Sequence, residues 1–416
     1  MATETTAMLK PPAELTSLPW LSDRSKVYVN WAGAERVRAD VLGVENRYRK
    51  WQHLYEDDPK ACMRALRLAV AQSRNSLSAF IGCPDPAHVV FTTGSEAALK
   101  DVLFAHQIVP YGARILVTDC EFYGIYSKVA PPRYHADVAR VAEKTTSQGI
   151  IDEIIGRVHE DTRLLLLSHV CYNTGVALPI ADICARVKAG RPDVLVLVDG
   201  AQAVGHVPVA VQELGCDFYA GDAHKWLVGP DQTGFLYVRA PEHLQIIARD
   251  ASSPFAVHPR LNQDKGSRSG AVAFALAALG DSLRPFMDRD TMARAFRYVC
   301  ALADEFRTRC VERLQGLFRV YPSPQCEGRT AIVSLVPQGF ASEAAVLDRL
   351  HDDLLAEGVH CALINRVPAA YAEHLTAPPM LRFSFHVWNS EADVEAIVHK
   401  LELVARRTLM AAMARL

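Results

Sequence analysis

The residue in this chain best equipped for chemistry is Lys225, at the centre of Gly221-Asp222-Ala223-His224-Lys225-Trp226-Leu227. Phe218, Tyr219 and Ala220 come before this stretch's charges, and Trp226, Leu227 and Val228 follow the lysine, so its amine keeps apolar company. A desolvated lysine holds its proton less tightly, which leaves a nucleophilic nitrogen able to form a Schiff base. Upstream, the apolar run Val194 to Val198 ends in Asp199-Gly200-Ala201-Gln202. Such a run is what a parallel strand shows when both its faces are covered. A carboxylate at the carboxyl end of a buried strand stands where open α/β sheets place their ligand chemistry.

An aspartate and an imine-forming lysine are the pair that pyridoxal phosphate requires. The first keeps the pyridine nitrogen protonated and the second holds the aldehyde. A third element fits beside them. Val89 to Leu99 reads as a strand, a glycine turn and a helix start, and backbone N–H groups at a helix N-terminus suit a phosphate. Thr93, Gly94 and Ser95 are therefore the expected phosphate cup. Around these lie the elements that must hold them. Ile115 to Asp119 and Leu164 to Leu167 read as further buried strands, and Arg64 to Phe80 carries helix-spaced apolar residues. From about Asp281 long helical runs take over, followed by a strand at Thr330 to Leu335 and an alternating strand at Leu381 to Asn389. Ser390 and Asp393 form a capping box ahead of Val394, Ile397, Val398 and Leu401 on one helical face. The fold class is α/β, with a large doubly wound, mainly parallel sheet.

Composition narrows the functional classes. The 416 residues exceed one ordinary core, and 45 basic against 47 acidic residues give no reason to expect nucleic acid or an anionic membrane as partner. No apolar run approaches a membrane span, and residues 1–21 lack the basic start and apolar block of a secretory signal. The ten cysteines are scattered without a C-x-x-C pair, which suits small core side chains in a reducing cytoplasm and argues against a metal site. A nucleotide-binding protein with a structural lysine would need a G-x-G-x-x-G fingerprint after an early strand, which the sequence does not contain. A non-catalytic regulator built on the same fold would carry a DNA-binding appendage, for which the chain leaves little room.

Asp199-Gly200-Ala201-Gln202, Ala223-His224-Lys225-Trp226, and Gly229-Pro230 through Thr233-Gly234-Phe235-Leu236-Tyr237-Val238 together resemble the class V aminotransferase family from about Tyr28 to Leu403. That family includes cysteine desulfurases, isopenicillin-N-epimerase-like proteins and the C–S lyase of ergothioneine synthesis. The resemblance implies fold type I with a seven-stranded-type sheet. It divides the chain into an arm (1–26), a large pyridoxal-phosphate-binding domain (27–285) and a small C-terminal α+β domain (286–416). It implies that Lys225 is the catalytic lysine, Asp199 the pyridine partner and Tyr123 the residue stacked on the ring. Gln202 would meet the ring hydroxyl and His224 the phosphate. Asn173, or Tyr172 beside it, would contact the ring oxygen or substrate. Ser267 would reach the phosphate of a neighbouring subunit, making a homodimer with shared active sites. Arg382 would bind a substrate α-carboxylate, and Tyr28, Trp31 and Arg366 would shape the pocket. Asp222 departs from the family's serine or threonine, and a carboxylate there should turn from the phosphate or pair with a base.

The same resemblance leaves the reaction open. A cysteine desulfurase needs a mobile thiol shortly before the carboxylate arginine, and no cysteine lies between Ala362 and Leu381. Cys361 sits in a strand-like stretch. Desulfuration is disfavoured, and the expectation is C–S β-elimination from a cysteine S-conjugate, with transamination and epimerisation as alternatives.

Overall fold

The computed structural model describes residues 10, 26–33, 39–44, 46–47, 50, 58–250, 275, 278–280, 283–284, 288–338, 344–364, 367–376 and 378–413. Seven strands form its central sheet: β2 (Val89–Thr92), β3 (Arg114–Thr118), β4 (His135–Ala139), β5 (Thr162–Ser168), β6 (Leu195–Asp199), β7 (Phe218–Asp222) and β8 (Gly234–Val238). Their order is β2-β8-β7-β6-β5-β3-β4. β8 pairs antiparallel with both neighbours, and every other pairing is parallel. The fold is α/β, as the long apolar runs require.

Those runs are explained by two-sided burial. Leu165, Leu167, Val196 and Val198 enter one hydrophobic cluster, while Leu164, Leu166 and Leu197 enter another. Alternate side chains thus pass to opposite faces of the sheet, each covered by helices, and no position is left for a polar residue until the strand ends. There the sequence turns polar at once, with Ser168 at the end of β5, Asp199 at the end of β6 and Asp222 at the end of β7. Register brings them into a row: Ser168 pairs with Asp199, Asp199 with Ala220, and Gly234 with both Asp222 and Thr92.

Glycines allow this crowding. A Cβ at Gly200 would lie 2.3–2.4 Å from the Tyr219 ring, which is fully buried and hydrogen-bonded to His169 Nδ1 at 2.9 Å. The ring has nowhere to move. Gly200→Ala is expected to cost about 2–3 kcal/mol of stability, read as a lowered Tm in thermal unfolding with no compensating change in slope.

A second, antiparallel sheet runs β12 (Ala362–Ile364), β13 (Met380–Ser384), β10 (Ile332–Pro337) and β9 (Phe318–Tyr321). The helices Arg289–Arg313 and Glu391–Met413 contribute Phe306, Val394, Ile397 and Leu401 to its core. The capping box forms: Ser390 N–H donates to Asp393 Oδ2 at 2.8 Å, and Asp393 N–H donates to Ser390 Oγ at 3.3 Å. The N-terminal segment joins this second sheet. β1 (Val27–Tyr28) pairs with β11 (Val359–His360), Asn30 bridges to Ser384, and Ala32 N–H donates to Ser384 Oγ at 3.0 Å. Among the described residues no helix is long and apolar enough to cross a membrane.

Candidate active site

The carboxyl ends of β2, β3, β5, β6 and β7 open onto one cavity of about 780 Å³, closed on the other side by Ala32, Gly33, Leu363, Ile364 and Arg382. This is the crevice the parallel strands predict.

Lys225 lies just beyond β7, in a turn closed by Val228 N–H donating to its carbonyl at 3.0 Å and Gly229 N–H donating to Ala223 O at 2.9 Å. Val228 closes that turn at φ +47°, a backbone region that a β-branched residue rarely enters. The lysine side chain is 21% exposed and its Nζ stands 2.7 Å from Asp222 Oδ2. Asp222 is the basic-partnered carboxylate expected from the sequence, and Lys225 is the partner.

Asp199 is buried at the end of β6. Ala201 N–H donates to its Oδ1 at 2.9 Å, and burial pushes its pKa up to about 6 although Lys225 pulls the other way. A buried carboxylate so poised gains from a cationic N–H, which is what a pyridinium offers. Gln202 accepts the Trp226 indole N–H on Oε1 at 2.8 Å and donates from Nε2 to Ala32 O at 2.8 Å. Its second Nε2 hydrogen can meet a ring oxygen. Thr93, Gly94, Ser95 and His224 gather at the start of the helix Ser95–Phe104. Gly94 has φ +147°, and a Cβ there would sit 3.0 Å from Asp222 Oδ1, so only glycine leaves this cradle open. The cavity therefore fits pyridoxal phosphate: Lys225 for the aldehyde, Asp199 for the ring nitrogen, and the Thr93–Ser95 turn with His224 for the phosphate.

Arg382, on β13, is 4% exposed and lines the cavity. Its Nη1 donates to Tyr172 O at 3.0 Å and Nη2 to Asn30 Oδ1 at 3.4 Å, while Nε has no partner among the described residues. Burial lowers its pKa to about 10, which still leaves it a cation at neutral pH. Tyr123 and Tyr172 line the cavity, as does Phe122.

Three expected residues lie elsewhere. Asn173 is fully buried, with Nδ2 donating to Thr376 O at 2.7 Å and Oδ1 accepting Thr174 N–H at 2.9 Å. Its amide is committed to the protein, and its neighbour Tyr172 is the one that lines the cavity. Tyr28 and Trp31 belong to the core of the second sheet, where Trp31 donates to Tyr28 O and to Asn389 Oδ1, stacks on Trp388 and packs at a tilt against His386. Their segment reaches the cavity through Ala32 and Gly33 instead. Ser267 and Arg366 lie outside the described residues.

Glu121 escaped the sequence reading. It lies three residues past the end of β3, in the polar stretch that follows that apolar strand, where strand-end logic could have found it. It is fully buried, accepting from Thr118 Oγ at 2.7 Å, Ser168 N at 3.0 Å and Ser168 Oγ at 2.6 Å, and burial raises its pKa from 4.5 to about 7. An acid raised in the folded state loses stability as pH climbs from its unfolded pKa to its folded one. Glu121→Gln is therefore expected to gain on the wild type between pH 4.5 and 7, by up to about 3 kcal/mol, and to hold that gain above. Denaturant unfolding at pH 5 and pH 8 measures this; a gap that does not widen with pH defeats it.

The aminotransferase class-V family model matches residues 32–397. An isopenicillin N epimerase of Amycolatopsis lactamdurans is 34% identical over 357 residues, covering 80% of this chain and 84% of its own. A probable cysteine desulfurase of Pasteurella multocida is 28% identical over 353 residues, covering 80% and 78%. Among solved structures, the cystine C–S lyase C-DES in complex with its product cysteine persulfide superposes with a TM-score of 0.71 at 24% identity, covering 91% of this chain and 97% of that one. The cysteine desulfurase CsdA of Escherichia coli gives 0.72 at 20% identity, covering 95% and 98%. At these identities the two structures speak to the fold, which is that of this chain.

Proposed function

The chain belongs to the class-V aminotransferase family, and on that premise we propose that this pyridoxal-phosphate-dependent enzyme of amino-acid substrates is a C–S lyase acting on a cysteine S-conjugate. The observation that carries the reading is the cavity lining. Phenols at Tyr123 and Tyr172 share it with Lys225 and Arg382, and among the described residues no thiol does. Cys361, the cysteine nearest in sequence to Arg382, is buried, and burial pushes its pKa up to about 12, which makes it a poor sulfur acceptor.

Pyridoxal phosphate, when bound, supplies an electron sink that weakens the bonds at the substrate Cα. Arg382 holds the substrate carboxylate with its fork and so fixes which Cα bond faces Lys225. Lys225 Nζ takes the Cα proton as general base. Tyr123, 38% exposed at the mouth, delivers a proton to the departing sulfur and leaves room for a substituent that projects outward. Asp199 stays ionised against the ring nitrogen, and Phe122 and Ile125 give the cavity part of its apolar lining.

Epimerisation is the second reading, favoured by the 34% identity to the relative named isopenicillin N epimerase. It needs a proton donor on the face opposite Lys225, a task open to Tyr172. One assay separates the readings. Purified enzyme is given S-substituted cysteines, and pyruvate, ammonia and optical rotation are followed without added keto acid. Equal pyruvate and ammonia support the lyase. Racemisation without pyruvate supports the epimerase, and product only with a keto acid makes the enzyme an aminotransferase. The proposal includes a homodimer with Ser267 at the partner's phosphate and the division near residue 285; light scattering of the wild type and of Ser267→Ala tests the first.

A further inference from the structure

The phosphate cup has a tenant of its own. Asp222 ends β7 and is 3% exposed. Its Oδ1 accepts the Ser95 N–H at 2.6 Å, and its Oδ2 accepts the Ser95 Oγ–H at 3.2 Å and lies 2.7 Å from Lys225 Nζ. The Ser95 amide and hydroxyl at the start of the helix are donors that an incoming phosphate would use. Both oxygens of one carboxylate already occupy them, much as two oxygens of a phosphate would.

The charges around Asp222 sharpen the conflict. On its own segment are His224 and Lys225, both of which favour its ionised form, and from β6 comes Asp199, whose carboxylate it repels. Glu96 follows Ser95 on the helix and lines the cavity with Lys100, but its carboxylate is held by Lys128 Nζ at 2.6 Å. A phosphate dianion would thus enter beside Asp222 and Asp199, with Asp222 in direct possession of its donors. A serine or an amide at this position would have no such quarrel.

We propose that Asp222 is an internal occupant of the phosphate cup, which competes with the phosphate group for the Ser95 donors and sets how strongly the chain prefers pyridoxal phosphate over pyridoxal. The inference rests on the reading that Lys225 carries the cofactor. A phosphate ester entering the cup must displace the Asp222 carboxylate from the Ser95 N–H and hydroxyl and stand beside its charge. Asp222 therefore lowers affinity for the phosphorylated cofactor and has little effect on pyridoxal.

The test uses the full chain freed of cofactor and compares wild type, Asp222→Asn and Asp222→Ser. Each is titrated with pyridoxal phosphate, pyridoxal and inorganic phosphate, followed by the tryptophan fluorescence of the chain. In both variants the Kd for pyridoxal phosphate and for inorganic phosphate is expected to fall by about tenfold or more, while that for pyridoxal changes less than about threefold. Pyridoxal and its phosphate moving together would make Asp222 a scaffold residue and overturn the proposal. Selective weakening of the phosphate ester would make it a phosphate ligand and overturn it equally. A wild type and variants that bind neither form of the cofactor would sink the cofactor reading instead. The Asn variant, nearly isosteric, decides the matter if the Ser variant unfolds early.

Discussion

Lys225→Ala is expected to abolish turnover, by about a thousandfold or more, because in the proposed mechanism one nitrogen both carries the cofactor and moves the Cα proton. Borohydride reduction should label the wild type on the peptide containing Lys225 and leave the variant unlabelled. The variant should also be less stable at neutral pH. Lys225 is a large part of what favours ionised Asp222, whose pKa is held below its ordinary value, and that contribution exists above the unfolded carboxylate pKa and fades as pH falls. Removing the lysine leaves a buried charge short of its cation. Adding Asp222→Asn should restore stability without restoring turnover, so the two losses separate in one cycle. Retained turnover in Lys225→Ala would refute the role of the lysine outright.

Much of this site could be read before any fold was known, for a physical reason. The candidate catalytic residues follow strands so apolar that the first polar side chain marks the strand end, and the parallel sheet then gathers those ends in one crevice. Asp199 after Val194–Val198 and Lys225 after Phe218–Ala220 are both found that way. The resemblance alone puts Tyr28 and Trp31 at the pocket, and that is a weaker guide. A polar-tipped aromatic serves a core as well as a pocket, and here Asn389 and Tyr28 O satisfy the Trp31 indole. Asn173 fell one residue out of register, and in a turn one residue exchanges the cavity side for the protein side. No local pattern reveals that Thr376, some two hundred positions later, takes its amide. Nor does sequence reveal that residues 27–33 pair with β11 and β13, since strand partners so distant leave no periodic trace.

That long-range pairing matters most at Arg382. The guanidinium is aimed by Tyr172 O from the turn after β5 and Asn30 Oδ1 from the N-terminal segment, and the rest of its fork is left for the cavity. Lysine at this position keeps the charge but offers no planar fork, and it cannot hold both positioning contacts and a carboxylate. Arg382→Lys is therefore expected to lower kcat/KM by about a hundredfold to a thousandfold, the scale of two charge-assisted hydrogen bonds, with most of the loss in KM. Gly33→Ala should produce a weaker version, near tenfold, because its Cβ would press on Asn30 Oδ1 at 2.4 Å and Arg382 Nη2 at 2.8 Å, both ends of movable side chains. The decisive comparison is a substrate whose α-carboxylate is replaced by an amide. Wild type should lose on it about what Arg382→Lys loses on the acid, and the variant should lose little more. Equal sensitivity of both enzymes to that change would mean that Arg382 supports the fold and that some other group reads the carboxylate.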